Sequence, residues 1–322
     1  MSELRHHSVQ VPATSANIGA GFDVFGFAVD LHLAVRSRPR SAAAERVTVL
    51  GDAAEVVPSG DDNLIWRSLV TFCERHDVAV PDVQLVTACR IPFERGLGSS
   101  SAAIVAGLVL GRALTATAVG DRDLVGLAAE LEGHADNVGP ALLGGLVACA
   151  REDDGQLIVR RVNPAVRLRP LALVPDARQA TSSSRAVLPE SLRRGDVIEQ
   201  VGRAGHVLGA LTGQWPVAVG AAGDRLHEPE RLETMGHSGR VVADLRAEGV
   251  HAWLSGAGPS VMTAVPATDA AASAAVATIA EAHGFALLEL SFDLSGALSC
   301  PDDGCALAGG GGCVQCPELK VS

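Results

Sequence analysis

The chain has 322 residues, 48% of them apolar and 20% charged, which is enough apolar material for a sizeable core and too much for a disordered chain. Its formal net charge of −11 repels a phosphate backbone and argues against nucleic acid as a partner. No window reaches the ~18 uninterrupted apolar residues of a membrane span, and residues Met1–Gln10 hold no apolar stretch of signal-peptide length, so a soluble, cytoplasmic protein with no membrane partner is expected.

Taken in chain order, β-type runs lie at Ser8–Val11, Val24–Val35, Arg46–Leu50 and Val83–Ala88. A helical run rich in Ala, Leu, Val and Ile follows at Ser100–Leu114, then a second at Leu124–Gly133. Gly145–Ala150 and Leu157–Val162 read as a strand pair around the polar turn Arg151–Gln156, and Leu171–Pro175 as another strand. Beyond a polar loop at Ala180–Ser184 come helical segments around Ser191–Leu211 and Gly239–Glu248, strands His251–Leu254 and Val261–Val265, a helix at Ala267–His283 and a strand at Ala286–Asp293. Strands interleaved with helices make this an α+β or α/β chain. A chain of this length predicts two domains, here residues 1–163 and 164–296 with the break near Asn163–Pro164. Residues 297–322 are Gly-, Asp- and Cys-rich and read as a disordered tail.

The segment from Ile91 to Ala103 is the most informative. Gly96 and Gly98 let the backbone turn tightly and approach a ligand, and the apolar helix starts just after them. The unpaired N–H groups and positive dipole end of that helix then face one spot, a phosphate cradle that needs no lysine. Ser99, Ser100 and Ser101 can cap the helix, and a serine hydroxyl can also ligate Mg²⁺. A Walker loop is excluded, because no Gly-Lys-Ser/Thr closes the segment, and a dinucleotide fingerprint is excluded because Ser101 stands where its third glycine would be. On its own this remains a glycine-rich turn before a helix.

Two further motifs accompany it: Pro12-Ala-Thr-Ser-Ala-Asn17 running to Asp23, and Ser255-Gly-Ala-Gly-Pro-Ser260 between two strands. The triplet, in this order, resembles the GHMP kinase superfamily. Glu132-Gly-His-Ala-Asp-Asn137, Ser184-Arg-Ala-Val-Leu-Pro189 and His227-Glu-Pro-Glu-Arg231 resemble its homoserine kinase branch, and the likeness covers about residues 8–295. The resemblance implies a two-domain α+β fold: an N-terminal domain like domain 2 of ribosomal protein S5, a ferredoxin-like C-terminal domain, and ATP in the cleft between them. It also implies Mg²⁺, L-homoserine as the acceptor, a place in threonine biosynthesis and, at family level, a homodimer.

Residue by residue, the resemblance places ATP against Pro92, Glu94, Arg95, Gly96, Leu97, Gly98, Ser99, Ser100, Ser101, Ala102, Gly256 and Gly258. It puts the metal carboxylate at Glu130, two residues from Glu132, with Ser99 or Ser100 as hydroxyl partner. Arg185 and Arg231 match the arginines that take the substrate carboxylate, Asp23 the acid that takes its ammonium, and His134 a neighbouring pocket position. Asn17 and Asn137 match positions that, by the resemblance, surround the reacting hydroxyl. Mevalonate-type relatives carry an aspartate base where this chain has Asn137, and an amide cannot take a proton, so the hydroxyl is expected to lose its proton late, to the transferring phosphoryl group. Positioning and electrostatics then supply the acceleration.

Cys73, Cys89 and Cys149 lie in apolar-patterned segments and read as small buried hydrophobes. Cys300, Cys305, Cys313 and Cys316 crowd the tail with one CxxC, where a structural zinc site shows two tight pairs, and a disulfide is disfavoured in cytoplasm.

Overall fold

In a computed structural model of the chain, the structure describes residues 7–179 and 184–301. Its elements are β1 (His7–Asn17), β2 (Gly21–Pro39), β3 (Val47–Leu50), α1 (Leu64–Arg75), β4 (Val83–Cys89), α2 (Ser99–Thr115), α3 (Asp121–Glu132), α4 (Val138–Leu143), β5 (Leu146–Arg151), β6 (Leu157–Val162), β7 (Leu168–Val174), α5 (Arg194–Leu211), α6 (Glu228–Thr234), α7 (Gly236–Ala247), β8 (Ala252–Leu254), β9 (Val261–Pro266), α8 (Ala270–Ala282), β10 (Ala286–Glu289) and β11 (Leu298–Pro301). Among the described residues they form two sheets, a seven-stranded one along β11-β1-β2-β4-β3 with β5 paired to β2 and β6 to β5, and a four-stranded one in the order β10-β7-β9-β8.

The nineteen-residue β2 serves two partners. Its first part pairs with β5 over Phe25–Phe27, and its second pairs with β4 over Leu33–Pro39. The first motif spans the end of β1, a tight turn and the start of β2, with irregularities in the ladder at Pro12/Ala13 and Ala16/Asn17, and its β1 part is buried on both faces. The helix α1, which the sequence reading passed over, presents Ile65, Leu69, Phe72 and Cys73 to α2 and is capped by Asn63, whose side chain accepts from the Ile65 N–H at 3.0 Å. Gly107 of α2 makes that packing close, for a Cβ there would fall 2.2 Å from the Ile65 carbonyl.

The tail begins later than the sequence suggests. Leu298–Pro301 form β11, antiparallel to His7–Gln10 of β1, because the first strand otherwise leaves a bare edge. Cys300 within it is disulfide-bonded, against the expectation of reduced thiols, while Cys305, Cys313 and Cys316 lie outside the described residues. Cys73 and Cys149 are buried and free, as is the half-buried Cys89. No helix among the described residues is long and apolar enough to cross a membrane.

Candidate active site

The three motifs knot together. The Thr14 N–H donates to the Leu97 carbonyl at 3.1 Å, and the Gly256 N–H donates to the Ala16 carbonyl at 3.2 Å. The Ser255 hydroxyl lies 2.7 Å from the Gly96 carbonyl and 2.9 Å from the Ser15 hydroxyl. Glycine is required where they cross. At Gly96 (φ 77°) a Cβ would sit 2.2 Å from the Ser255 carbonyl, and at Gly98 (φ 72°) 2.0 Å from the Thr14 hydroxyl. One cleft of about 350 Å³ opens at this crossing and is lined from both halves of the chain.

Gly98 is the N-cap of α2, and no side chain caps the helix there. The first-turn N–H groups therefore face the cleft free of a serine cap, contrary to one role the sequence allowed those serines. Ser100 and Ser101 instead donate to a single carboxylate oxygen of Glu132, at 2.7 and 2.8 Å. Glu130 is not at this place. It is exposed on the far side of α3 and ion-paired with Arg75 at 2.5 Å. The reason is helical period: two residues apart on a helix is about 200°, so the two glutamates cannot share a face. Glu132 follows Val125 and Ala128 along the buried stripe, and Glu130 lies off it. That spacing was readable in the sequence.

A charged corner closes the other end. Asp23 (φ 56°) and Asn17 (φ 70°) both hold left-handed backbone, which Asn and Asp tolerate better than most residues. Asn17 has both ends of its amide engaged: Nδ2 donates to the Gly256 carbonyl at 2.7 Å, and Oδ1 accepts from the Asp23 N–H at 3.1 Å. Arg185 forks onto Asp23 at 2.7 and 3.0 Å. Arg231 is almost fully buried, its Nε donating to the Ser184 carbonyl at 3.0 Å. Burial, then the neighbouring Arg185, lowers the Arg231 guanidinium below its ordinary value. Phe22, stacked on His227 at 4.6 Å, lies under both guanidinium groups, at 5.8 Å from Arg185 and 5.3 Å from Arg231.

Between the two ends, Gly26 of β2 lets the backbone at Asp136 approach, since a Cβ there would overlap the Asp136 carbonyl. This seats His134, Asp136 and Asn137 in the cleft wall. His134 Nδ1 and the buried Asp136 carboxylate are 2.5 Å apart. Burial alone would lower the His134 imidazole, but Asp136, with Glu132 and Asp23, outweighs it and holds it above its ordinary value. Asn137 accepts from the Thr14 hydroxyl at 2.7 Å.

Of the residues singled out from sequence, the cleft lining includes Asn17, Asp23, His134, Asn137, Arg185 and Arg231. It also includes Glu94, Gly96, Gly98, Ser99, Ser100, Ser101, Gly256 and Gly258. Pro92, Arg95, Leu97 and Ala102 do not line it. Leu97 and Ala102 point into the core, and Arg95 turns away to the Asp176 and Ala177 carbonyls. Sequence reasoning ranked Glu132 behind Glu130 and gave no role to Asp136 or Thr14. Asp136 gave the warning of a carboxylate between two chosen residues, while Thr14 stands within the first motif but meets a partner 123 positions away, which no local pattern shows.

Residues 63–145 match the family model described as GHMP kinases N terminal domain. A homoserine kinase of Streptomyces avermitilis is 38% identical over 296 residues, covering 91% of this chain and 95% of the relative. One of Clavibacter michiganensis subsp. michiganensis is 39% identical over 264 residues, covering 80% and 82%. The crystal structure of homoserine kinase from Cytophaga hutchinsonii shares the fold with a TM-score of 0.80 at 25% identity, covering 93% of this chain and 99% of that one.

Proposed function

The chain belongs to the homoserine kinase family of the GHMP kinases, and we infer from that membership and from its cleft that it transfers the γ-phosphoryl group of ATP to the side-chain hydroxyl of L-homoserine, giving O-phospho-L-homoserine. One observation carries the reading: a lysine-free phosphate cradle with a facing carboxylate, and a corner of one acid and two arginines, line the same cleft. The cradle suits a triphosphate, and the corner suits a small zwitterion. The cytoplasm, where ATP is plentiful, is the compartment this reading assigns.

Mg²⁺ fits the donor set. Ser100, Ser101 and Glu132 present only oxygen, which this hard cation prefers, and Glu132 with Ser100 are the residues that would hold it. When bound, the ion neutralises charge on the phosphoryl oxygens. The chain's own groups do the rest. The peptide N–H groups at the start of α2 orient the phosphates. Arg185 and Arg231 take the substrate carboxylate, with Arg231 anchored by Ser184 and Gly256. Asp23, released from Arg185 by that carboxylate, takes the ammonium, so the zwitterion's two charges are each paired with an opposite charge of the chain. Asn17 acts through Asp23 and the Gly256 turn, because its own amide is already engaged. Asn137 stands at the hydroxyl, and the nearby Asp136 carboxylate is engaged by His134. No side chain is then left as base, and the hydroxyl proton leaves with the transferring phosphoryl group, a late loss that a loose transition state tolerates.

The test is a coupled ADP-release assay over homoserine, threonine, serine, mevalonate and galactose. Homoserine should be turned over well above the others. Equal turnover of mevalonate, which has no ammonium, would sink the assignment.

A further inference from the structure

We propose that Thr14 is a positioning residue of the reaction, fixing which end of the Asn137 amide faces the transferring phosphoryl group. The inference rests on the placement of Asn137 at the reacting hydroxyl made above.

An asparagine side chain is ambivalent: its carbonyl accepts and its NH₂ donates, and the two ends exchange by a half-turn of the amide. At a phosphoryl-transfer site the two orientations have opposite effects. An N–H pointing at the reacting oxygens stabilises the charge developing there, and a carbonyl oxygen repels it. Something must hold the amide in one sense.

Asn137 does not do this for itself. It is the N-cap of α4, yet its side chain makes no cap hydrogen bond. The hold comes from the Thr14 hydroxyl, which donates to Asn137 Oδ1 at 2.7 Å. With Oδ1 occupied, the NH₂ is the end left for the cleft, which Asn137 lines and Thr14 does not. Thr14 is itself immobile. It is fully buried, lies in register with Ala28 of β2, and donates its own N–H to Leu97 of the phosphate loop at 3.1 Å. Its hydroxyl also fills the space that a Cβ on Gly98 would take, 2.0 Å away. One threonine thus ties the loop that cradles phosphate to the amide that meets the acceptor, and it sets that amide's polarity.

Substitution separates this role from packing. Thr14→Val keeps the shape and removes the donor. Its kcat should fall by about 10- to 100-fold with both KM values near wild type, the pattern of an interaction made only in the transition state. Thr14→Ser keeps the donor, loses a methyl, and should restore kcat to within a few-fold. In an Asn137→Ala background the same Thr14→Val change should cost nothing further, because no amide remains to orient. Thr14→Val within twofold of wild type, or a full additional loss in the Asn137→Ala background, would overturn the proposal. If Thr14→Val does not fold, as judged by its melting transition, Thr14→Ala in the two backgrounds carries the same comparison. An Asn137→Ala enzyme with wild-type kcat would instead overturn the site assignment beneath it, so the two failures are told apart.

Discussion

At the scale of single residues, α3 offers two glutamates and the structure separates them. Glu132 faces the loop serines and Glu130 faces Arg75 on the surface. Glu132→Gln should lower kcat by about 100-fold or more, since it removes the carboxylate charge that would hold Mg²⁺, whereas Glu130→Gln should stay near wild type in both kcat and melting temperature, because an exposed, screened ion pair adds little to stability. Steady-state kinetics on the two variants decides it, and the reverse pattern would restore Glu130. His134 gives a second outcome. Its imidazole is held above its ordinary value against the opposing effect of burial, mainly by Asp136, so the pair stabilises the fold fully below about pH 6.5. That stabilisation is lost as pH rises through the raised folded value. Urea unfolding of wild type and His134→Gln should differ more at pH 6 than at pH 9, and equal differences at the two pH values would exclude the pairing. Both residues show what a sequence conceals. Asp23, His134, Asn137, Arg185 and Arg231, which the motifs group together, all line the one cleft. Motif matching took Glu130 over Glu132, although the two-residue step, small along the chain but about 200° around the helix, sets them on different faces.

At the scale of elements, α2 and α8 were legible because they are rich in Ala, Val and Ile almost all round, whereas the amphipathic α1 was passed over and short elements that depend on distant partners were harder to read. Thus α4 and α6, of six and seven residues, have no room for a period, and β11 has four residues whose pairing partner is nearly the length of the chain away. The consequence for β11 is testable. Truncation after Gly296 removes four strand pairs with β1 and the Ala297 N–H bond to the Leu142 carbonyl. A loss of about 2 kcal/mol is expected from net hydrogen-bond energies, which lowers the melting temperature by about 4 °C in a chain of this size. It also leaves the β1 edge open to pairing with other chains. Scanning calorimetry and size-exclusion chromatography of the truncated chain check both effects, and an unchanged melting temperature would mean that β11 adds nothing.

At the scale of the whole molecule, the two sheets are not independent bodies. One buried core holds Phe27, Leu69 and Leu108 from the first half together with Val174, Trp253 and Met262 from the second. Trp253 of β8 also donates its indole N–H to the Ser15 hydroxyl in β1. Unfolding should therefore be a single calorimetric transition, and residues 1–163 expressed alone should lack stable tertiary structure by near-ultraviolet circular dichroism. Two resolved transitions would refute the shared core. The same economy marks the cradle. As proposed above it takes phosphate on peptide N–H groups, and in all 322 residues the chain has one lysine, Lys320. An enzyme built this way offers almost nothing to amine chemistry. Acetic anhydride or cyanate, which silence kinases that rely on a phosphate-binding lysine, find only Lys320 and the terminal amine here, and should leave turnover intact. Phenylglyoxal, which attacks guanidinium groups, should abolish turnover, and homoserine should protect against it by covering Arg185 and Arg231.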